Sequence, residues 1–132
     1  MEEMETKICV DTTVLVDFLR NKKEAIEWID GHKHCILATT TINLFELYLG
    51  AYLQNPNSVH AVQQLAQRLL ILNLSDESSR HAGEQLALLQ KSGQDVEFRD
   101  VLIGSIAATE NFAVKTNNKK YFSRMKDVLT VD

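Results

Sequence analysis

The sequence predicts an α/β fold, a three-layer α/β/α sandwich with a mostly parallel central sheet. Short apolar runs of strand length alternate with longer helix-patterned segments along the chain. Such alternation builds a parallel sheet covered on both faces. The chain has 132 residues, 45% of them hydrophobic. That is enough for one sizeable core, so a single domain over 1–132 is expected. One Pro and five Gly, with no internal repeat, leave no stretch that reads as linker or low complexity.

The first strand is Ile8-Cys9-Val10, and it runs straight into Asp11. A helix over 13–20 follows, with Val14, Leu15, Phe18 and Leu19 at helical spacing. Asn21 reads as the N-cap of a short second helix, with Glu24 three residues later as its reciprocal partner and Gly31 as its end. A second buried strand is expected over 34–38. Thr39, Thr40 and Thr41 offer a cap for a long helix to about Gln54, which Asn55-Pro56-Asn57 breaks. An amphipathic helix over 58–70 leads into a short strand over 70–74. Ser75 caps the next helix, and Gly93 closes it. Then come a helix over 100–109, a strand over 112–115 and a last strand over 128–131.

Composition removes several function classes. No apolar run approaches the roughly 20 residues that span a bilayer. The opening Met1-Glu2-Glu3-Met4-Glu5 is acidic and lacks the basic-then-apolar pattern of a leader peptide, so a cytoplasmic protein is expected. A net charge of −4 and a pI of about 5.5 speak against general coating of nucleic acid, though not against a local basic lip. Cys9 and Cys35 make no disulfide framework and read as small buried hydrophobes. His32, His34 and Cys35 stand together, but no second cluster completes a zinc site.

Three carboxylates stand where carboxylates are costly. Asp11 lies at the carboxyl end of a buried strand, the edge where open parallel sheets place their sites; it is a site residue or a helix cap. Glu46 falls within the helical face of Ile42, Phe45, Leu49 and Leu53. There it must be paired, neutralised or bound to a cation, or else reach out to solvent or to an arginine. Gly50, one turn later, leaves room for an approaching group. Asp100 opens an apolar helix, on the side of Ile103 and Ala107, where it either serves a site or caps the helix. The loop 116–122, with Asn118 in it, belongs at the same sheet edge. Three such oxygens without a Cys/His set suit Mg²⁺ or Mn²⁺.

Four segments in order carry a resemblance. They are Asp11-Thr-Thr-Val-Leu-Val-Asp17, Thr41-Ile-Asn-Leu-Phe-Glu46-Leu-Tyr-Leu-Gly50, Gly93-Gln-Asp-Val96-Glu-Phe-Arg-Asp100, and Thr116-Asn-Asn118-Lys-Lys-Tyr-Phe122. Together they resemble the PIN-domain nucleases, and among these the VapC-type toxins, over nearly the whole chain. The resemblance implies metal-dependent cleavage of single-stranded RNA, frequent homodimers, and inhibition by a small antitoxin protein. It makes Asp11, Glu46 and Asp100 the metal ligands and sets Asn118 beside them. Many members carry Asp where this chain has Asn118, so one metal ion is better supported than two. Asp17 is not among the catalytic acids.

Other functions fit less well. A phosphatase of the haloacid dehalogenase type needs an Asp where Thr13 stands. A binding-only scaffold would leave three buried acids unused and destabilising. A housekeeping role in RNA processing competes with the toxin role. Lys115, Lys119, Lys120, Arg124 and Lys126 form either a phosphate-gripping lip or a solvated basic loop. Leu44, Tyr48 and Tyr52 form either an association surface or a seat for the 58–70 helix.

Overall fold

The computed structural model describes residues 6–132. The acidic stretch 1–5, on which the reading of no leader peptide rests, lies outside the described residues. Four strands, β1 (Lys7–Val10), β2 (Ile36–Thr40), β3 (Leu70–Leu72) and β4 (Ala113–Lys115), form a wholly parallel sheet in the order β3-β2-β1-β4. Because side chains alternate across a strand, β1 feeds two cores. Ile8 and Val10 join Val14, Leu15, Leu47 and Val62 on one face, and Cys9 joins Ile103, Ile106 and Phe122 on the other. Helices α1 (Thr12–Leu19), α2 (Lys23–Gly31), α3 (Thr41–Gln54) and α4 (Val59–Ala66) supply the first face. Helices α5 (Asp76–Lys91), α6 (Phe98–Thr109) and the short α7 (Lys119–Phe122) supply the second. The predicted three-layer α/β/α arrangement is therefore present. No helix among the described residues is long and apolar enough to cross a membrane.

The chain leaves β1 for β2 on one side and returns to β4 on the other. Such a reversal marks the edge where α/β sheets bind their ligands, here the carboxyl ends of β1 and β4. Thr40 caps α3 in a box with Asn43, and Ser75 caps α5 in a box with Ser78. Gly93 takes φ +72° past the end of α5, the left-handed conformation that only glycine adopts without cost.

Several expectations shift. Asn21 takes φ 61° and bends the chain out of α1, while Lys22 holds the N-cap position of α2 without a side-chain bond. Strand β2 lies two residues later than expected, because Thr39 and Thr40 are wholly buried and pair with β3. Helix α4 ends at Ala66, where the Arg68 and Leu69 amides tighten onto the carbonyls of Leu65 and Ala66 and turn the chain into β3. The strand expected over 128–131 reduces to one bridge, Val114 to Thr130, because Val128 turns into the core beside α6. Part of the loop after β4 is helical: Phe122, wholly buried, pins α7 down.

Candidate active site

Asp11 ends β1 with its amide still in the ladder, donating to the Lys115 carbonyl at 2.9 Å. It occupies the N-cap position of α1, yet its side chain makes no capping bond. The carboxylate is only 4% exposed, so its oxygens need partners. Asn43 Nδ2 donates to Oδ1 at 3.0 Å, and Thr116 Oγ1 donates to Oδ2 at 2.8 Å. Thr13 Oγ1 adds a longer bond of 3.2 Å.

Asn43 is the hinge of this arrangement. It is wholly buried in the first turn of α3. Its Oδ1 accepts from Thr40 N at 3.1 Å and Thr40 Oγ1 at 2.8 Å. Its Nδ2 serves Asp11 and also Thr12 Oγ1 at 2.9 Å. Thr12 Oγ1 in turn donates to Glu46 Oε1 at 2.8 Å. One amide thus links the helix cap to both carboxylates.

The face expected to bury Glu46 is the outer one. Helix α3 packs by Asn43, Leu47 and Ala51, while Phe45, Leu49, Tyr52 and Leu53 are exposed. Glu46 lies at the border, one turn from Gly50, and both line a cleft of about 250 Å³ between α1, α3 and α4. It is paired with an arginine: Arg99 Nη1 stands 3.5 Å from Oε2 and shares its guanidinium with Glu97 at 3.7 Å. Leu44 and Tyr48 pack inward in the cluster with Val62 and Leu65, so only Tyr52 of the expected association surface is exposed.

Asp100, in the first turn of α6, closes the group. Burial pushes its carboxyl up to about 6, and the charges of Asp11, Glu46 and Glu97 push the same way, against Arg99. Asp11 just past β1, Glu46 on α3 and Asp100 on α6 therefore share one electrostatic field. Among the described residues, no three His, Cys, Asp or Glu side chains already stand close enough to enclose an ion. Glu46 turns to Thr12 and Arg99 instead. The donors fit a hard cation all the same: they are oxygens only, they repel each other, and positive charge between them relieves that repulsion.

The fourth segment contributes through Thr116 more than through Asn118. Asn118 is exposed, and its amide donates to Thr116 Oγ1 at 3.0 Å, while its side chain makes no capping bond to α7. Asn117 ties the loop to α1, donating from N to Thr13 Oγ1 and from Nδ2 to Asp17 Oδ2, both at 3.1 Å. Of the basic residues, Lys120 and Arg124 lie over the Tyr121 ring, and Arg124 also donates to the Asp95 carbonyl. Lys126 is exposed, and its amide donates to Gln85. His32 stacks on Trp28 and bonds the Trp28 carbonyl through Nδ1. Cys9 is an unreactive thiol, pushed up to about 12 by burial and by Asp11; Cys35 is only half-buried. Sequence reasoning missed Thr12, Asn43, Arg99 and Thr116. The one visible signal was Asn43, a polar residue on the stripe that continues through Leu47 and Ala51.

The Asp100 shift has a consequence for stability. The folded Asp100 carboxyl holds a proton more tightly than its ordinary value of 3.8, so it favours folding at acid pH. That contribution is lost as pH rises from about 3.8 to about 6. In chelator at pH 8, Asp100→Asn should therefore be more stable than wild type by about 1 kcal/mol, after discounting for its half-exposed position. The melting temperature should rise by about 4 °C, and the gap should close near pH 4. Equal melting temperatures at pH 8 would show that neither burial nor the neighbouring acids raise the Asp100 carboxyl in the folded protein.

A PIN-domain family model matches residues 8–128. Ribonuclease VapC3 of Methanocaldococcus jannaschii is 32% identical over 97 residues, covering 74% of this chain and 94% of that protein. The tRNA(fMet)-specific endonuclease VapC of Salmonella typhimurium is 27% identical over 128 residues, covering 96% and 97%. Among solved structures, DNA-bound VapBC from Salmonella typhimurium superposes with a TM-score of 0.85 at 25% identity, covering 96% of this chain and 98% of that one. VapBC2 from Rickettsia felis, bound to a promoter DNA fragment, also gives 0.85, at 23% identity over 94% and 96%.

Proposed function

The chain belongs to the PIN-domain family, and on that footing we propose that it is the toxin of a type II toxin–antitoxin pair, an endoribonuclease that cuts single-stranded RNA with Mg²⁺ or Mn²⁺. The observation that carries the reading is the PIN-domain match over residues 8–128. The positions of Asp11 just past β1, Glu46 on α3 and Asp100 in the first turn of α6 support it, as does the Arg99–Glu46 pair that joins α6 to α3. Asp11, Glu46 and Asp100 would hold the cation, and their three charges suffice for one divalent ion. When bound, the cation lowers the pKa of water and steadies the charge that builds on a phosphoryl group.

The chain's own residues do the rest. Asn43 and Thr116 fix the Asp11 carboxylate from opposite oxygens. Thr12 orients Glu46, and Arg99 offsets part of the acidic charge from the half-exposed rim. Asn118 completes the catalytic set as a neutral group on the loop beyond β4. The exposed apolar face of α3, Phe45, Leu49 and Leu53, supports a homodimer. An antitoxin is the expected second partner, since the superposing structures are VapBC complexes.

The test is cleavage of a labelled single-stranded RNA by purified protein. Activity is expected with Mn²⁺ or Mg²⁺ and none with excess chelator. Cleavage that survives chelation would remove the metal from the mechanism.

A further inference from the structure

Beside the acids, residues from four parts of the chain meet at one exposed spot. Lys115 ends β4, Lys119 opens α7, Trp28 lies on α2, and Asp132 follows the Val114–Thr130 bridge. The Lys119 ammonium bonds Asp132 Oδ1. Trp28 Nε1 donates to the Asp132 main-chain carbonyl at 2.9 Å. Lys115 Nζ stands 5.3 Å from the centre of the Trp28 ring. The ring is held in place by His32, stacked on it at 4.0 Å and 16°. Asp132 therefore presents one anionic oxygen to an ammonium and a second oxygen to an indole N–H. A backbone phosphate can supply both functions, an anionic oxygen for the ammonium and an acceptor for the indole N–H. Lys119 and then Lys115 hold the Asp132 carboxyl below its usual range, although that side chain is fully exposed.

Position says which phosphate. The Lys115 carbonyl receives the Asp11 amide at 2.9 Å, and the next residue, Thr116, bonds the Asp11 carboxylate at 2.8 Å. The cradle thus borders the strand end that carries the acid cluster. RNA must approach that cluster against its negative charge and that of a chain with net charge −4, so a cationic hold nearby has a job to do. We propose that Lys115, Lys119 and Trp28 Nε1 form a subsite for an RNA backbone phosphate flanking the cut, and that Asp132 occupies this subsite until RNA displaces it. This deepens the nuclease reading and rests on it. An exposed ion pair is weak, so its displacement costs at most about fivefold in affinity. Asp132 acts as a mild internal competitor.

The experiment measures binding of a fluorescein-labelled single-stranded RNA to metal-free protein by anisotropy, over a series of salt concentrations. Asp132→Asn should tighten binding about three- to fivefold, the worth of the lost competing pair. Lys119→Ala should weaken binding and reduce the salt slope by about 0.7. In the double variant, Asp132→Asn should no longer tighten binding, because its target is gone. Trp28 is the only tryptophan, so its emission should change when RNA replaces Asp132. Unchanged or weaker binding by Asp132→Asn, or unaltered emission at saturating RNA, overturns the subsite. If wild type cuts RNA with Mn²⁺ in that case, the nuclease reading stands alone. RNA that is neither bound nor cut sinks both.

Discussion

Replacing Asp11 by Asn is expected to lower RNA cleavage by at least about 10³-fold, well beyond the ten- to hundredfold cost of losing a group that only orients a ligand. The fold should persist, because the oxygen of the new amide can still accept from Asn43 at 3.0 Å, and its NH2 can donate to the Thr116 hydroxyl, which turns from donor to acceptor. Glu46→Gln and Asp100→Asn should fall in the same range. Asn118→Ala should cost less than any of the three, since its exposed side chain brings no charge to the site. Single-turnover cleavage with saturating Mn²⁺ makes the comparison. An Asp11→Asn variant with near-wild-type activity would mean that the buried carboxylate serves structure alone.

The largest expected effect on stability comes from Asn43, which touches no substrate. Asn43→Ala takes away the acceptor for the Thr40 amide and the donor to Asp11 together. The reciprocal half of the capping box is lost, although the Thr40 hydroxyl can still accept from the main-chain amide at 43, and a buried carboxylate loses one of its partners. The expected cost is about 2–4 kcal/mol, read as a lower urea midpoint. Cleavage should also drop about ten- to hundredfold in the protein that remains folded, as Asp11 loses its alignment. Wild-type stability in this variant would show that the network around Asn43 can close without it.

Local chemistry was legible in the sequence wherever one residue decides one turn. The apolar run into Asp11, the caps at Thr40 and Ser75, and the left-handed Gly93 all fall where the residues placed them. Helix α3 was misread because both of its sides are apolar. Periodicity could not tell the stripe of Asn43, Leu47 and Ala51 from that of Phe45, Leu49 and Leu53, and packing against the sheet chose the first. The threonines 39–40 serve two roles at once. Their β-branched stems extend β2, while Thr39 Oγ1 donates to the Val10 carbonyl at 2.8 Å and Thr40 caps α3. A reading that assigns them only to the cap ends the strand two residues early.

Within the site, the acids could be named because a carboxylate in an apolar segment is conspicuous. Their partners could not. Thr116 reaches Asp11 across 105 positions and Asn43 across 32, and a Thr or Asn on a loop or helix looks the same whether or not it is aimed at a carboxylate. Arg99 hides similarly: beside Glu97 and Asp100 it reads as a surface charge, yet it bridges Glu97 to Glu46 on another helix.

That the three acids jointly hold one divalent cation is tested most directly by calorimetric titration of Mn²⁺ into wild type and into Asp11→Asn, Glu46→Gln and Asp100→Asn. One saturable site is expected in wild type, with affinity reduced about tenfold or more in each variant as a charged oxygen ligand is lost. Mn²⁺ binding of equal affinity in wild type and all three variants would contradict a shared metal centre.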